Sequence, residues 1–277
     1  MRIETIYDQG TIRNPEDQII IRPPFFGVAD GVSGLYLPSE GPILFEGQSG
    51  GQMTAETLLQ TVAATSPSDP LEEVIIRANT TIWQKQKHLG FYETGQIELL
   101  AGTTFAIAKI EMEKIEIIQC GDCFALWVTN NEVGITKNQS FHHVTEALKT
   151  IATLMEKHKG SREKMWQEFG PILTIMRRRD VNKECGYGLL NGQPESKDLW
   201  QRFILRREEI SLLLLFTDGL VYYPGSGNEQ ALAEKVLKLF RKGRLRAILE
   251  NTRQREERKK QKSHIDHAEA SSMAIEF

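Results

Sequence analysis

Three apolar stretches of this 277-residue chain run into an aspartate. FFGVADGVSG (25–34) reaches Asp30-Gly31, IIQCGDC (117–123) sets Asp122 just past an apolar run, and LLLLFTDGL (212–220) stops at Asp218-Gly219. Asp-Gly is a favoured turn dipeptide, so each one alone reads as a turn. A tight hairpin needs a second strand directly after it. VSGLYLPSEGP follows Asp30 and LVYYPGSG follows Asp218, and neither continues as a strand. An ordinary strand-to-loop exit remains, and the three carboxylates either make three unrelated turns or meet at one site. More acids lie at strand ends: Glu16 and Asp17 before IIIR (19–22), and Asp266 before the last strand. Carboxylates gathered without matching Lys or Arg repel one another, and some stay protonated unless cations sit between them. Oxygen donors favour hard ions, Mg²⁺ or Mn²⁺ over Zn²⁺. Two such ions can deprotonate a shared water and aim it at phosphorus.

The elements that must carry these acids follow from the pattern. IIIRPPFFGVAD (19–30) predicts two strands, or one with a break at Pro-Pro. TFAIAKIE (104–111), KIEIIQC (114–120) and CFALWVT (123–129) predict three more, joined by links so short that antiparallel neighbours are expected. ISLLLLFTD (210–218) and ASSMAIEF (270–277) complete the set. The unalternating LLLL predicts a strand buried on both faces. Helical spacing runs through 54–65, with Thr54 as N-cap, through 71–88, and through 230–252 with a break near Gly243. HHVTEALKTIATLMEKH reads as a helix and RRRDVNKECGYGLLNGQPES as a long loop beside the site. The fold class is α+β, antiparallel sheet covered by helices. One domain over 1–277 is expected, with a variable helical and loop insertion at about 137–200.

Composition narrows the function classes. The chain is 40% hydrophobic and 26% charged with a net charge of -3, ordinary for a globular protein and without global attraction to nucleic acid or an acidic membrane. ISLLLLF is too short to span a bilayer, and MRIETIYDQG lacks the features of a secretory signal. Three cysteines do not make a disulfide framework. A soluble cytoplasmic protein is the expectation.

The ordered series NPED, FFGVADGVSG, AGTTFAIA, IIQCGDC, LLLLFTDGL and DHAEASSMAIEF resembles the metal-dependent protein phosphatases (PPM, the type-two-C serine/threonine phosphatases) over positions 13 to 277. The resemblance implies an αββα four-layer sandwich, two packed antiparallel sheets flanked by helices. It implies a phosphatase acting on phosphoserine and phosphothreonine in proteins, through a hydroxide bridging two Mn²⁺ or Mg²⁺ ions. Carried over, Asp30 bridges the two ions, Asp218 and Asp266 bind one, and the Gly31 carbonyl with Glu16 and Asp17 serves the other, partly through water. Asp122 helps hold a weaker third ion, Arg13 holds the phosphate, and Ala101 to Thr104 support the site. The implied partners are a phosphorylated protein and the serine/threonine kinase that makes it, with neither nucleic acid nor membrane. The alternatives are a catalytically silent binding module and a phosphatase of a small phosphorylated metabolite; the oligomeric state is not legible.

Four positions depart from the family pattern. Arg13 stands one residue closer to the acidic pair than the family's phosphate-binding Arg. Val32 occupies the place where some members carry a general-acid His. LYLPSEGPILFEGQS (35–49) intervenes before Gly50-Gly51, and Glu269 replaces the usual Ser or Thr three residues after the last Asp. Lesser signals have plainer readings. CGDC (120–123) reads as two buried cysteines around a functional Asp, His142-His143 as a solvated helix start, and HIDH (264–267) as a strand entry with exposed His. RQREERKKQK (253–262) is interrupted by Glu256 and Glu257 and reads as a solvated helix end.

Overall fold

The computed structural model describes residues 1–11, 14–33, 44–91, 93–130, 132–221, 228–260 and 267–277. Among them, ten strands form two antiparallel five-stranded sheets. The first runs in the order β1 (Arg2–Asp8), β12 (Ala270–Glu276), β11 (Ile210–Phe216), β8 (Phe124–Thr129), β9 (Val133–Ile135). The second runs β10 (Gln201–Arg206), β7 (Lys114–Cys120), β6 (Gly102–Ile110), β3 (Phe25–Val32), β2 (Gln18–Arg22). Two short strands, β4 (Leu44–Phe45) and β5 (Gln48–Ser49), pair separately just before helix α1 (Gly50–Ala63).

Alternation inside the apolar runs decides which layer each side chain enters. On β11, Leu213 and Leu215 point into the space between the sheets, with Phe26 and Val28 of β3 and Met273 and Ile275 of β12. Leu212, Leu214 and Phe216 point the other way, beneath helix α5 (Glu229–Lys260), against Leu232, Val236 and Phe240. On the second sheet, Phe25, Phe105 and Ile107 pack under α1 and α2 (Leu71–Gln86). The order is helix, sheet, sheet, helix, the αββα sandwich that the resemblance implies. LLLL is buried on both faces because both layers need it, at about 1.5–3 kcal/mol per buried side chain.

Several local expectations change. Pro23-Pro24 separates β2 from β3, which pair as a hairpin. Gly121-Asp122 does not join neighbouring strands: β7 lies in the second sheet and β8 in the first. Gly121 has φ +81, and a Cβ there would lie 2.3 Å from Thr104, so the corner between sheets requires glycine. Helix α1 begins at Gly50, capped by the Ser49 hydroxyl on the Gln52 amide, and Thr54 sits inside it instead of capping it. Helix α5 breaks where expected, at Gly243 and at Arg244, whose φ of 60 and ψ of −153 cost a non-glycine residue about 1–3 kcal/mol. Ion pairs from Arg244 to Glu4 and Glu276 offset that strain.

Helices α3 (Phe141–Lys157) and α4 (Arg162–Asp180) form a hairpin with its own small core of Leu154, Met165 and Phe169. RRRD thus ends a helix and does not open a loop. His143 is not solvated: its Nδ1 lies 2.8 Å from Asp180, and its ring packs on Tyr187. The buried Arg177 ties the hairpin to the sandwich, donating to the carbonyls of Ser33 (3.0 Å) and Leu100 (2.9 Å). Arg177→Met leaves both carbonyls without that partner, so urea denaturation is expected to show a loss of about 1–3 kcal/mol. Unchanged stability would mean that the hairpin is held elsewhere. Among the described residues, no helix is long and apolar enough to cross a membrane.

Candidate active site

Antiparallel order turns distant strand ends into neighbours. The end of β3 lies beside the start of β2 and the start of β6, and the start of β6 lies near the end of β7. In the facing sheet, the end of β11 lies beside the starts of β8 and β12. The two sheets open on one shared edge there. Glu16 and Asp17 stand before β2, Asp30 near the end of β3, Asp122 between β7 and β8, Asp218 after β11 and Glu269 before β12. Asp30 does not end its strand, as the apolar run suggested. β3 continues through Gly31 to Val32, opposite Thr104, Thr103 and Gly102 of β6. By parity with Phe26 and Val28, Asp30 faces the space between the sheets.

Polar neighbours hold Glu16, Asp17 and Asp122 and fix the backbone at Asp30. The Thr103 hydroxyl donates to the Asp30 carbonyl (2.8 Å). Glu16 accepts from the Ser33 hydroxyl (2.5 Å) and from the Ser49 hydroxyl at the N-terminus of α1. A helix N-terminus favours a carboxylate, which works against the cost of burying this one. The approach needs glycine: a Cβ on Gly51 would lie 2.5 Å from the Glu16 carboxylate, and one on Gly31 would lie 2.4 Å from the Gly51 carbonyl. Asp17 accepts from the Thr217 hydroxyl (2.8 Å), whose oxygen also accepts from the Ser271 amide (2.9 Å). Asp122 accepts from Ser140 (2.7 Å) at the start of α3. Its turn is fixed by Gln139, which accepts from the Gly121 amide, and by Gln119, which donates to the Gly121 and Cys123 carbonyls. The flanking thiols are buried, and burial raises both well above the ordinary thiol range, so CGDC is inert packing around Asp122.

The electrostatics are those of like charges crowded together. Burial, then the charges of Asp17, Asp218, Asp122 and Glu16, push Asp30 far above the usual carboxylate range. Burial and Glu269 push Asp17 up to about 8. Burial and Asp122 push Asp218 up to about 7. Asp218 opens to solvent and Asp30 is partly buried, so solvent tempers both effects at these two. Burial also raises Glu16, against the pull of the two serines. Among the described residues no three Cys, His, Asp or Glu side chains meet as a preformed metal-binding group. The donor chemistry nevertheless fits hard divalent cations. The acids offer oxygen alone, they repel one another, and the charges felt most by Asp30 all have one sign.

No protein-family model matches the chain, and no curated protein matches it. Solved structures do. The catalytic domain of the serine/threonine protein phosphatase PstP in complex with two manganese ions is 15% identical, with a TM-score of 0.57 over 99% of this chain and 96% of that one. The PPM Ser-Thr phosphatase MsPP from Mycobacterium smegmatis, in complex with cacodylate, is 16% identical, with a TM-score of 0.53 over 100% of this chain and 98% of that one. Stp1 from Staphylococcus aureus is 16% identical, with a TM-score of 0.52 over 99% and 94%. The chain has the PPM phosphatase fold. At this identity the likeness is one of fold, and the residues must carry the chemistry.

Of the acids singled out in the sequence, this PPM-like fold brings Glu16, Asp17, Asp30, Asp122 and Asp218 to one edge, with Gly31 beside Asp30. Arg13 and Asp266 lie outside the described residues, as do most of 35–49 and His264. Val32, at the position of the family's occasional His, packs against Val181, Tyr187 and Leu189. Glu269 was legible only as a departure from the family pattern, yet it stands among the acids. Tyr7 and Ser140 carried no signal and Thr217 only its place in LLLLFTDGL, because their roles depend on strands and helices far apart in sequence. His267 is held by Glu256 (2.8 Å) and Glu257 (2.6 Å) of α5, and Arg253 by Asp8 and Glu256. Much of the charged helix end is therefore spent on internal contacts.

Proposed function

We propose that this chain is a metal-dependent phosphatase that removes phosphate from phosphoserine and phosphothreonine in proteins. The observation that carries the reading is the convergence of acids from separate strand ends on one edge between the two sheets, with like charge unrelieved at its centre. Asp30, Asp218 and Asp266 would hold one divalent cation; Asp30, the Gly31 carbonyl, Glu16 and Asp17 would hold a second. Asp122 would serve a weaker third. Bound Mn²⁺ or Mg²⁺ would supply an activated water and a positive field for the phosphoryl oxygens.

The chain's own residues do the rest. Thr103 and the register with β6 fix the Asp30 backbone, while Ser33 and Ser49 orient Glu16. Thr217 aims Asp17. Arg13 would grip the phosphate through charge-assisted hydrogen bonds. Val32 has no proton to give, so the leaving alkoxide takes its proton from solvent or another residue. A serine/threonine kinase would make the substrate. That PstP was solved with two manganese ions and that MsPP is a Ser-Thr phosphatase supports the reading.

Hydrolysis of p-nitrophenyl phosphate and of a phosphothreonine peptide, with Mn²⁺, Mg²⁺ or EDTA, tests it. Turnover of both substrates with metal, abolished by EDTA, is expected. Turnover of p-nitrophenyl phosphate alone would move the substrate to small phosphorylated molecules. Bound metal without turnover would make the chain a silent binding module.

A further inference from the structure

Glu269 stands where the family pattern has Ser or Thr, and it is almost fully buried, at 8% exposure. Its two carboxylate oxygens have separate tasks. Oε2 accepts from the Glu16 amide (2.7 Å) and Oε1 from the Tyr7 hydroxyl of β1 (2.7 Å). Its backbone is pinned as well: a Cβ on Gly219 would lie 1.6 Å from the Glu269 carbonyl, so the Asp218-Gly219 turn is pressed directly against it. One residue therefore links the turn bearing Asp218 to the segment bearing Glu16 and Asp17, and anchors both to the edge strand. A hydroxyl in this place has one oxygen, set close to the backbone, and cannot span to both donors.

We propose that Glu269 is a positioning residue that fixes the Glu16–Asp17 segment relative to Asp218 for cation binding, an inference that rests on the metal-dependent phosphatase reading. Glu16 and Asp17 lie outside the strands, just before β2, and a segment that must be ordered on binding weakens affinity by the cost of ordering it. The strut removes that cost beforehand. Partners of this kind, one bond beyond the ligands, typically change metal affinity by about 10–100-fold when lost.

Calorimetric titration of Mn²⁺ into the metal-stripped protein tests the strut, because it reads binding and not turnover. E269A removes both contacts and is expected to weaken binding by about 10–100-fold. E269Q keeps them: the amide oxygen accepts from the Glu16 amide, and the amide nitrogen donates to a Tyr7 hydroxyl turned round. Affinity no weaker than that of the wild type is expected for it. Y7F removes one anchor only and is expected to weaken binding less than E269A does. Unchanged affinity in E269A overturns the proposal. So does an E269Q as weak as E269A, since charge and not position would then be the cause. Circular dichroism checks folding; should E269A fail to fold, an unchanged affinity in Y7F overturns it. A wild-type protein that binds no Mn²⁺ would overturn the phosphatase reading itself, whereas metal bound equally by all variants would sink the strut alone.

Discussion

Asp30→Asn is expected to lower phosphatase turnover by about 10³-fold or more while leaving the metal-free protein folded, and Asp218→Asn to do the same. The shape is kept and the charge removed. Cations supply several kcal/mol of stabilisation to the charge developing at phosphorus. At about 1.4 kcal/mol per factor of ten, losing it is a loss of several orders of magnitude. Stability should move the other way. Both acids are pushed up, Asp30 far above its ordinary range and Asp218 to about 7, so ionising them opposes folding of the metal-free chain. An amide copies the protonated form. Each variant should therefore melt at or above the wild-type temperature without metal, and gain less from Mn²⁺. Steady-state rates, metal content and melting curves check the set. Near-normal turnover in either variant would remove the two-cation assignment.

The same crowding sets a pH dependence. Asp17 is pushed up to about 8 and Asp218 to about 7, against about 3.9 for aspartate in an unfolded chain. Between those values the folded protein holds protons that the unfolded chain has released, so stability falls as pH rises. The favourable protonation is complete below about pH 4 and gone above about pH 8. Exposure of Asp218 to solvent reduces its share, and Asp17 carries more. Cation binding needs ionised carboxylates, so protons compete with it and affinity should climb through the same window. Two outcomes follow for melting temperatures measured from about pH 5 to about pH 8. The metal-free protein should melt lower as pH rises, and the rise in melting temperature on adding Mn²⁺ should be larger at the alkaline end. A metal-free melting temperature that climbs across this window, or a Mn²⁺ gain largest in acid, would mean that the acids do not share one field.

By itself, the sequence determined β2, β3, β6, β7, β8, β11 and β12, most of the helices and the family-like order of the acids, while β1, β9 and β10 went unread. LLLL without alternation required two covering layers. FFGVA and FAIA, apolar throughout, read as strands inside a sheet. Asp-Gly pairs with no strand after them pointed away from hairpins. All of these are local properties: side-chain period, turn chemistry and backbone freedom act over a few residues and can be read within them.

What the tertiary structure alone decided was which ends meet. The link Gly121-Asp122 looked like any tight turn between neighbours, yet its left-handed glycine carries the chain from one sheet to the other. His142-His143 looked solvated until Asp180, at the far end of a second helix, came within reach of His143. Glu269 looked like a lost hydroxyl, and became a contact to Tyr7 and Glu16 only when β12 was laid between β1 and β11. Strand register and sheet packing are sums over many weak, distant contacts. No short stretch of sequence contains them, and an active site assembled from strand ends exists only once they are made.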